Sequence, residues 1–193
     1  MEFDVKPYKQ KGNTCAIACM LMILEYYKII PKADWVYERK YYRTYKSKYM
    51  EGTPFSAIAW HLAKNGLNIE IIHSEKSIFK NNEQLLSKKT FDDAMDEYLQ
   101  YLNDSANIGV KISNGISITA EMLKGKLFDD KMIILAGESN GYLHAILICG
   151  YNNDNFIICD PLYKYKQEKT IKEITAYMDT PLGKWCVVVD NSN

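Results

Sequence analysis

Four residues of this chain have the types and the order needed to move an acyl group through a thiol. They are Gln10, Cys15, His144 and Asp160. A free thiol is mostly protonated near neutral pH, and only the thiolate is a good nucleophile. A catalytic cysteine therefore needs a helix N-terminus, with its unpaired N–H groups and partial positive charge, or an imidazole partner, or both. Cys15 opens an apolar run, Cys15 to Leu24, which places it in the first turn of a helix. His144 stands near the start of the strand-like run Tyr142 to Tyr151 and can serve as base and then acid. Asp160, at the end of the next strand-like run, can hold the imidazole in one tautomer and stabilise its cation. The side-chain amide of Gln10 and the backbone N–H of Cys15 are candidate donors to the oxyanion of a tetrahedral intermediate.

Those residues must be carried by particular elements. Residues 13–30 read as a helix, capped by Asn13 or Thr14 and closed before Pro31. Its apolar character on nearly every side makes it central and buried. In residues 34–50, Tyr37, Tyr41, Tyr45 and Tyr49 recur every fourth position, giving one stripe on a helix among Arg39, Lys40, Arg43, Lys46 and Lys48. Thr53-Pro54 reads as the cap and first position of another helix, ended by Gly66, and Leu67 to His73 as a strand. Polar residues 74–90 read as a loop. Thr90 is expected to cap a helix over 91–103, and Thr119 one over 120–127. Three strands follow, Met132–Ala136, Tyr142–Tyr151 and Phe156–Asp160. The turn signal Asn152-Asn-Asp-Asn155 makes an antiparallel hairpin of the last two. Trp185–Val189 is the final strand. Helices lead and strands trail, which is an α+β order. The expectation is one domain over residues 1–193, helical to about 128 and mainly β beyond.

Composition narrows the function. The chain has 193 residues, enough to bury a real core without covalent staples. Its 24 basic and 24 acidic residues leave no net field to favour nucleic acid or a membrane surface. Five cysteines, an odd number with no Cys-x-x-Cys pair, argue against a disulfide framework and a zinc ribbon. The N-terminus, Met-Glu-Phe-Asp-Val-Lys, lacks a basic stretch leading into an apolar one, and the longest apolar run is about half a membrane span. The expectation is a cytoplasmic protein without a cofactor or metal.

Gln-x4-Cys at a helix start, then His in an apolar strand, then Asp-Pro after a hairpin, resembles the C39-like branch of the papain-type cysteine peptidases. The resemblance runs from Gln10 to Pro161. It implies a papain-like fold, with a central cysteine-bearing helix packed on a C-terminal antiparallel sheet. It also implies Cys15 as nucleophile, His144 as base and acid, Asp160 as its orienter and Gln10 in the oxyanion hole. Two positions depart from the family pattern. Thr14 precedes the cysteine where an acidic residue is usual, and Ala16 follows it where a glycine is usual. The same triad serves a peptidase, an amidase or an acyltransferase. Free-standing relatives, such as those of butirosin and closthioamide assembly, look like enzymes that pass an acyl group from a carrier-protein thioester to an amine. An amide-forming acyltransferase or transamidase with such partners is therefore the leading expectation. A peptidase acting on a peptide is the alternative, and a catalytically silent peptide-binding domain is a third reading.

Taken singly, each residue has a plainer role: a buried thiol, a satisfied core histidine, a turn-capping carboxylate. Cys19, one helical turn after Cys15, reads as core packing, as do Cys149, Cys159 and Cys186. His61 and His73 read as structural or surface residues. The tyrosine stripe reads as packing, with an aromatic substrate wall or a basic face for an acidic carrier as its functional versions.

Overall fold

The computed structural model describes residues 1–77 and 87–190, with six helices and seven strands among them. The helices are α1 (Cys15–Tyr26), α2 (Trp35–Tyr45), α3 (Phe55–Lys64), α4 (Lys88–Asn107), α5 (Ala120–Phe128) and α6 (Ile171–Met178). The strands are β1 (Asn68–His73), β2 (Lys111–Asn114), β3 (Met132–Ser139), β4 (Tyr142–Asn152), β5 (Asn155–Cys159), β6 (Lys166–Thr170) and β7 (Trp185–Asp190). They form one sheet in the order β2-β1-β7-β3-β4-β5-β6. Every neighbouring pair is antiparallel except β1 and β2, which run parallel, so the sheet is mixed rather than purely antiparallel.

The apolar run of α1 behaves as its composition demands. Ala16 through Leu24 are all buried, and α1 lies against β4, β3, α2 and α3. Each fully buried Leu, Ile or Met here contributes roughly 1.5–3 kcal/mol of transfer free energy. The helix is shorter than 13–30: it ends at Tyr26, and Lys28 follows with φ of 59°, a left-handed residue that stops further helix. The central strands are buried residue after residue, Met132 through Ala136 and Trp185 through Val189, so both sheet faces are covered.

Two tight hairpins register the strands that matter for the site. Asn140 and Gly141, both with positive φ, join β3 to β4, and Asn153 and Asp154, both with positive φ, join β4 to β5. Two left-handed residues in sequence are what a two-residue turn between twisted strands requires. The 152–155 hairpin is therefore present as the sequence indicates.

Several boundaries differ, each for a local reason. The helix of residues 34–50 stops at Tyr45, leaving Tyr49 outside it and exposed. The Oδ1 of Asp34 caps its start, accepting from Val36 N at 2.8 Å and Tyr37 N at 3.0 Å. Pro54 rather than Thr53 occupies the cap position of α3. α4 begins at Lys88, so Ser87, which accepts from Thr90 N at 3.2 Å, is the cap in place of Thr90. The loop expected over 74–90 thus loses its last three residues to α4, and its centre, 78–86, lies outside the described residues. Thr119 caps α5 as expected. Three further elements join the fold: β2, β6 and α6.

Candidate active site

Cys15 is the first residue of α1 and is half-buried. The preceding Thr14 makes no capping bond to the helix, because its hydroxyl donates instead to Glu38 Oε1. No acidic residue sits in the first turn. The positive end of α1 is thus left uncompensated by its own side chains at the residue that carries the thiol.

His144 lies on β4, 9% exposed, with its Nε2 at 2.8 Å from Asp160 Oδ1. Cys15 acts on the same ring and favours its protonated form. Since Nε2 is committed to Asp160, Nδ1 is the ring nitrogen left for the thiol. This is the arrangement in which a carboxylate fixes the tautomer and the other nitrogen faces the nucleophile. Asp160 is itself held by the turn it starts, its Oδ1 accepting from Leu162 N at 2.9 Å. The β4–β5 register sets Cys159 opposite Leu147, so Asp160 leaves the sheet beside the stretch of β4 that carries His144.

The backbone under His144 is fixed from behind. Tyr177 of α6 donates its hydroxyl to His144 O at 2.8 Å. Gly137 of β3 pairs with His144 across the sheet, and a Cβ on it would collide with the ring and carbonyl of Tyr177. Only a glycine lets α6 approach β3 this closely.

Gln10 reaches the same place by its backbone, its N–H donating to Pro161 O at 2.8 Å. Its side-chain amide donates to Gly12 O, and its Oε1 is buried with no partner among the described residues. An amide nitrogen carries two N–H groups, so one remains beyond that bond. All four sequence-derived residues therefore meet around the start of α1 and the ends of β4 and β5.

Burial opposes a positive charge on His144, but the hydrogen bond to Asp160 and then the influence of Cys15 outweigh it. The pKa of His144 is raised to about 9. A histidine whose folded pKa exceeds its unfolded value of about 6.5 stabilises the fold below pH 6.5. That contribution disappears as pH rises through about 9. The shift corresponds to roughly 3 kcal/mol. Denaturant unfolding of wild type and Asp160→Asn should therefore converge in stability between about pH 6.5 and pH 9. A constant difference across that window would contradict a charged His144.

One residue central to the site went unread in the sequence. Glu38, on the tyrosine-rich α2, is fully buried. Its carboxyl oxygens accept from Tyr8 OH, from Thr14 Oγ1 and from Lys11 N, the last at 2.9 Å. It thereby ties down both flanks of Gln10 and the residue before Cys15. A lone glutamate among tyrosines and lysines carries no sequence signal for such a role, since most helical glutamates face solvent.

The remaining candidates settle into structure. Tyr37, Tyr41 and Tyr45 stack along α2 with ring centroids 6.1 and 6.3 Å apart. Tyr41 and Tyr45 meet His61, and Tyr45 meets Trp60 and Tyr101, so the stripe faces α3 and α4. His61 bonds Tyr45 OH at 2.8 Å; burial, then Lys40 and Lys64, push its pKa down to about 4. His73 is buried between Asn114 and Tyr98, and burial likewise lowers it to about 4. Cys19, Cys149, Cys159 and Cys186 are buried free thiols. Among the described residues, no group of three or more His, Cys, Asp or Glu is placed to hold a metal ion. No described helix is long and apolar enough to cross a membrane.

A thiol at a bare helix start, an imidazole lining the same cavity and a carboxylate hydrogen-bonded to that imidazole are the components of a cysteine-peptidase-like protein. The profile of the Peptidase_C39 like family matches residues 2–185, and the chain belongs to that family. A search of curated proteins finds no match.

Proposed function

We propose that the protein transfers an acyl group, through a thioester on Cys15, to an amine. The Cys15 thiol and the Asp160-bonded His144, both lining one apolar cavity, carry this reading. The sulfur of the Cys15 thiolate attacks the carbonyl carbon of a thioester, such as one on a carrier protein. The oxyanion so formed is met by the Cys15 backbone N–H and the free N–H of the Gln10 amide. Collapse breaks the donor's C–S bond, and the departing thiolate takes the proton of the His144 imidazolium. An amine then attacks the acyl-enzyme, His144 takes its proton, and Cys15 leaves as thiolate. Asp160 keeps the imidazole oriented and its cation stable throughout. The apolar surroundings support aminolysis over hydrolysis, since they disfavour water next to the acyl-enzyme. Five free cysteines fit work in a reducing cytosol.

Family membership supports a second reading, in which the same residues hydrolyse a peptide or amide. Incubation with an acyl N-acetylcysteamine thioester, with and without a diamine, separates the readings by intact mass and product analysis. An adduct on Cys15 that becomes amide when the diamine is present is the expected result. An adduct that only hydrolyses would favour the peptidase or amidase. A protein that forms no adduct, and whose Cys15 alkylates no faster than a free thiol, would be a peptide-binding domain instead.

A further inference from the structure

Beside Cys15 and His144 opens a cavity of about 100 Å³. Its walls come from four distant stretches of chain. Met50 and Phe55 flank it from before and within α3, Phe91 and Met95 from α4, Leu143 from β4, and Trp185 from β7. No lysine or arginine lines it among the described residues; its one cationic group is the His144 imidazolium, already bonded to Asp160, and its one carboxylate, Glu51, is exposed and bonded by Asn13 Nδ2 at 3.2 Å.

The polar side chains in the wall are turned to partners of their own. Ser47 donates to Glu97 and accepts from Tyr49 N and Met50 N. Tyr98 shares its hydroxyl with His73 Nε2 at 2.8 Å. Thr53 Oγ1 is buried with no partner among the described residues. One hydroxyl can meet one hydrogen-bonding atom of a ligand but cannot compensate a charge.

From this we infer that the cavity holds the acyl residue of the substrate, and that this residue is a compact, uncharged hydrocarbon group. The inference rests on the acyl-transfer reading, because it takes the carbonyl to be bound at Cys15. Size sets the upper limit. An apolar protein cavity of roughly 150 Å³ accommodates benzene, so a space of this order suits a short branched alkyl or a phenyl group. Charge sets the chemical class. A carboxylate or ammonium on the acyl chain would be desolvated against Phe55, Phe91 and Trp185, where the one nearby cation, His144, is already paired with Asp160, at a cost of several kcal/mol. A bare acetyl group would leave the space unfilled and forgo that contact.

Protection of Cys15 from alkylation tests the pocket without any acyl transfer. Iodoacetamide labelling of the wild-type protein is followed by mass spectrometry in the presence of isovaleramide, benzamide, acetamide or succinamate. Cys15 is the one cysteine that is not buried, so its adduct is read directly. Isovaleramide or benzamide should protect saturably, slowing labelling about ten-fold at about ten times its Kd. Acetamide and succinamate at the same concentrations should give little protection. Met95→Asp, a change at a half-buried wall position, should abolish protection by both apolar amides. Equal protection by succinamate or acetamide, no protection by any amide, or full protection in Met95→Asp would overturn the inference. Acyl transfer from simple thioesters would survive each of those results. Conversely, selective protection with no thioester able to acylate Cys15 would retain the pocket and remove the transfer chemistry.

Discussion

Cys15→Ala should reduce acyl-thioester turnover by roughly 10⁶-fold, by analogy with nucleophile removal in triad enzymes. The size follows from the proposed covalent step: without sulfur there is no acyl-enzyme, and the pocket and oxyanion donors can only hold substrate. His144→Ala should cost about as much, and the double variant no more than either alone, because residues that act as a unit are not additive. Asp160→Asn leaves the hydrogen-bond geometry near Nε2 but removes the charge that stabilises the imidazolium, and should cost roughly 10²–10⁴-fold. Initial rates for the four variants with one thioester and one amine check the set. Normal turnover by Cys15→Ala would remove every covalent reading of this site.

Glu38→Ala should be the most damaging substitution outside those three residues. It leaves Tyr8 OH, Lys11 N and Thr14 Oγ1 without their common acceptor, in a place where the carboxyl is fully buried. Buried donors left unsatisfied cost about 1–3 kcal/mol each, and the two hydroxyls can partly rotate to other acceptors, so a total of roughly 3–5 kcal/mol is expected. For a chain of this size that is a fall in Tm of about 10 °C. Glu38→Gln keeps the shape but turns an N–H₂ group toward donors, so it should fall between wild type and Ala. The segment released is the one that carries Gln10 and leads into Cys15. At a temperature where Glu38→Gln remains folded, kcat should therefore drop more than KM changes. A Tm within about 2 °C of wild type for Glu38→Ala would show that the three hydrogen bonds are dispensable.

How much was readable in advance depends on the range of the interaction. The buried α1, the Thr119 cap and the 152–155 hairpin rest on contacts within a few residues, and local patterns encode such contacts directly. α6 was missed although its start carries a local signal: Thr170-Ile-Lys-Glu173 is a capping box, with Thr170 Oγ1 accepting from Glu173 N at 3.2 Å and Glu173 accepting from Thr170 N at 2.8 Å. β6, Lys166-Gln-Glu-Lys-Thr170, carries no such signal. It has no apolar alternation because it lies at the edge of the sheet, where pairing with β5 makes the strand and charges on it discourage further association.

By itself, the sequence determined that a thiol opens a buried helix, that a histidine follows on a strand and that an aspartate follows just past the end of the adjoining one. Periodicity and turn chemistry act over short distances, so they are written in the order of residues. The tertiary structure alone decided that Glu38 holds the segment before Cys15. It also decided that Gly137 lets α6 press against the strand behind His144, and that walls from α3, α4, β4 and β7 enclose one apolar space. Those arrangements join residues tens of positions apart, and burial, not local propensity, selects them.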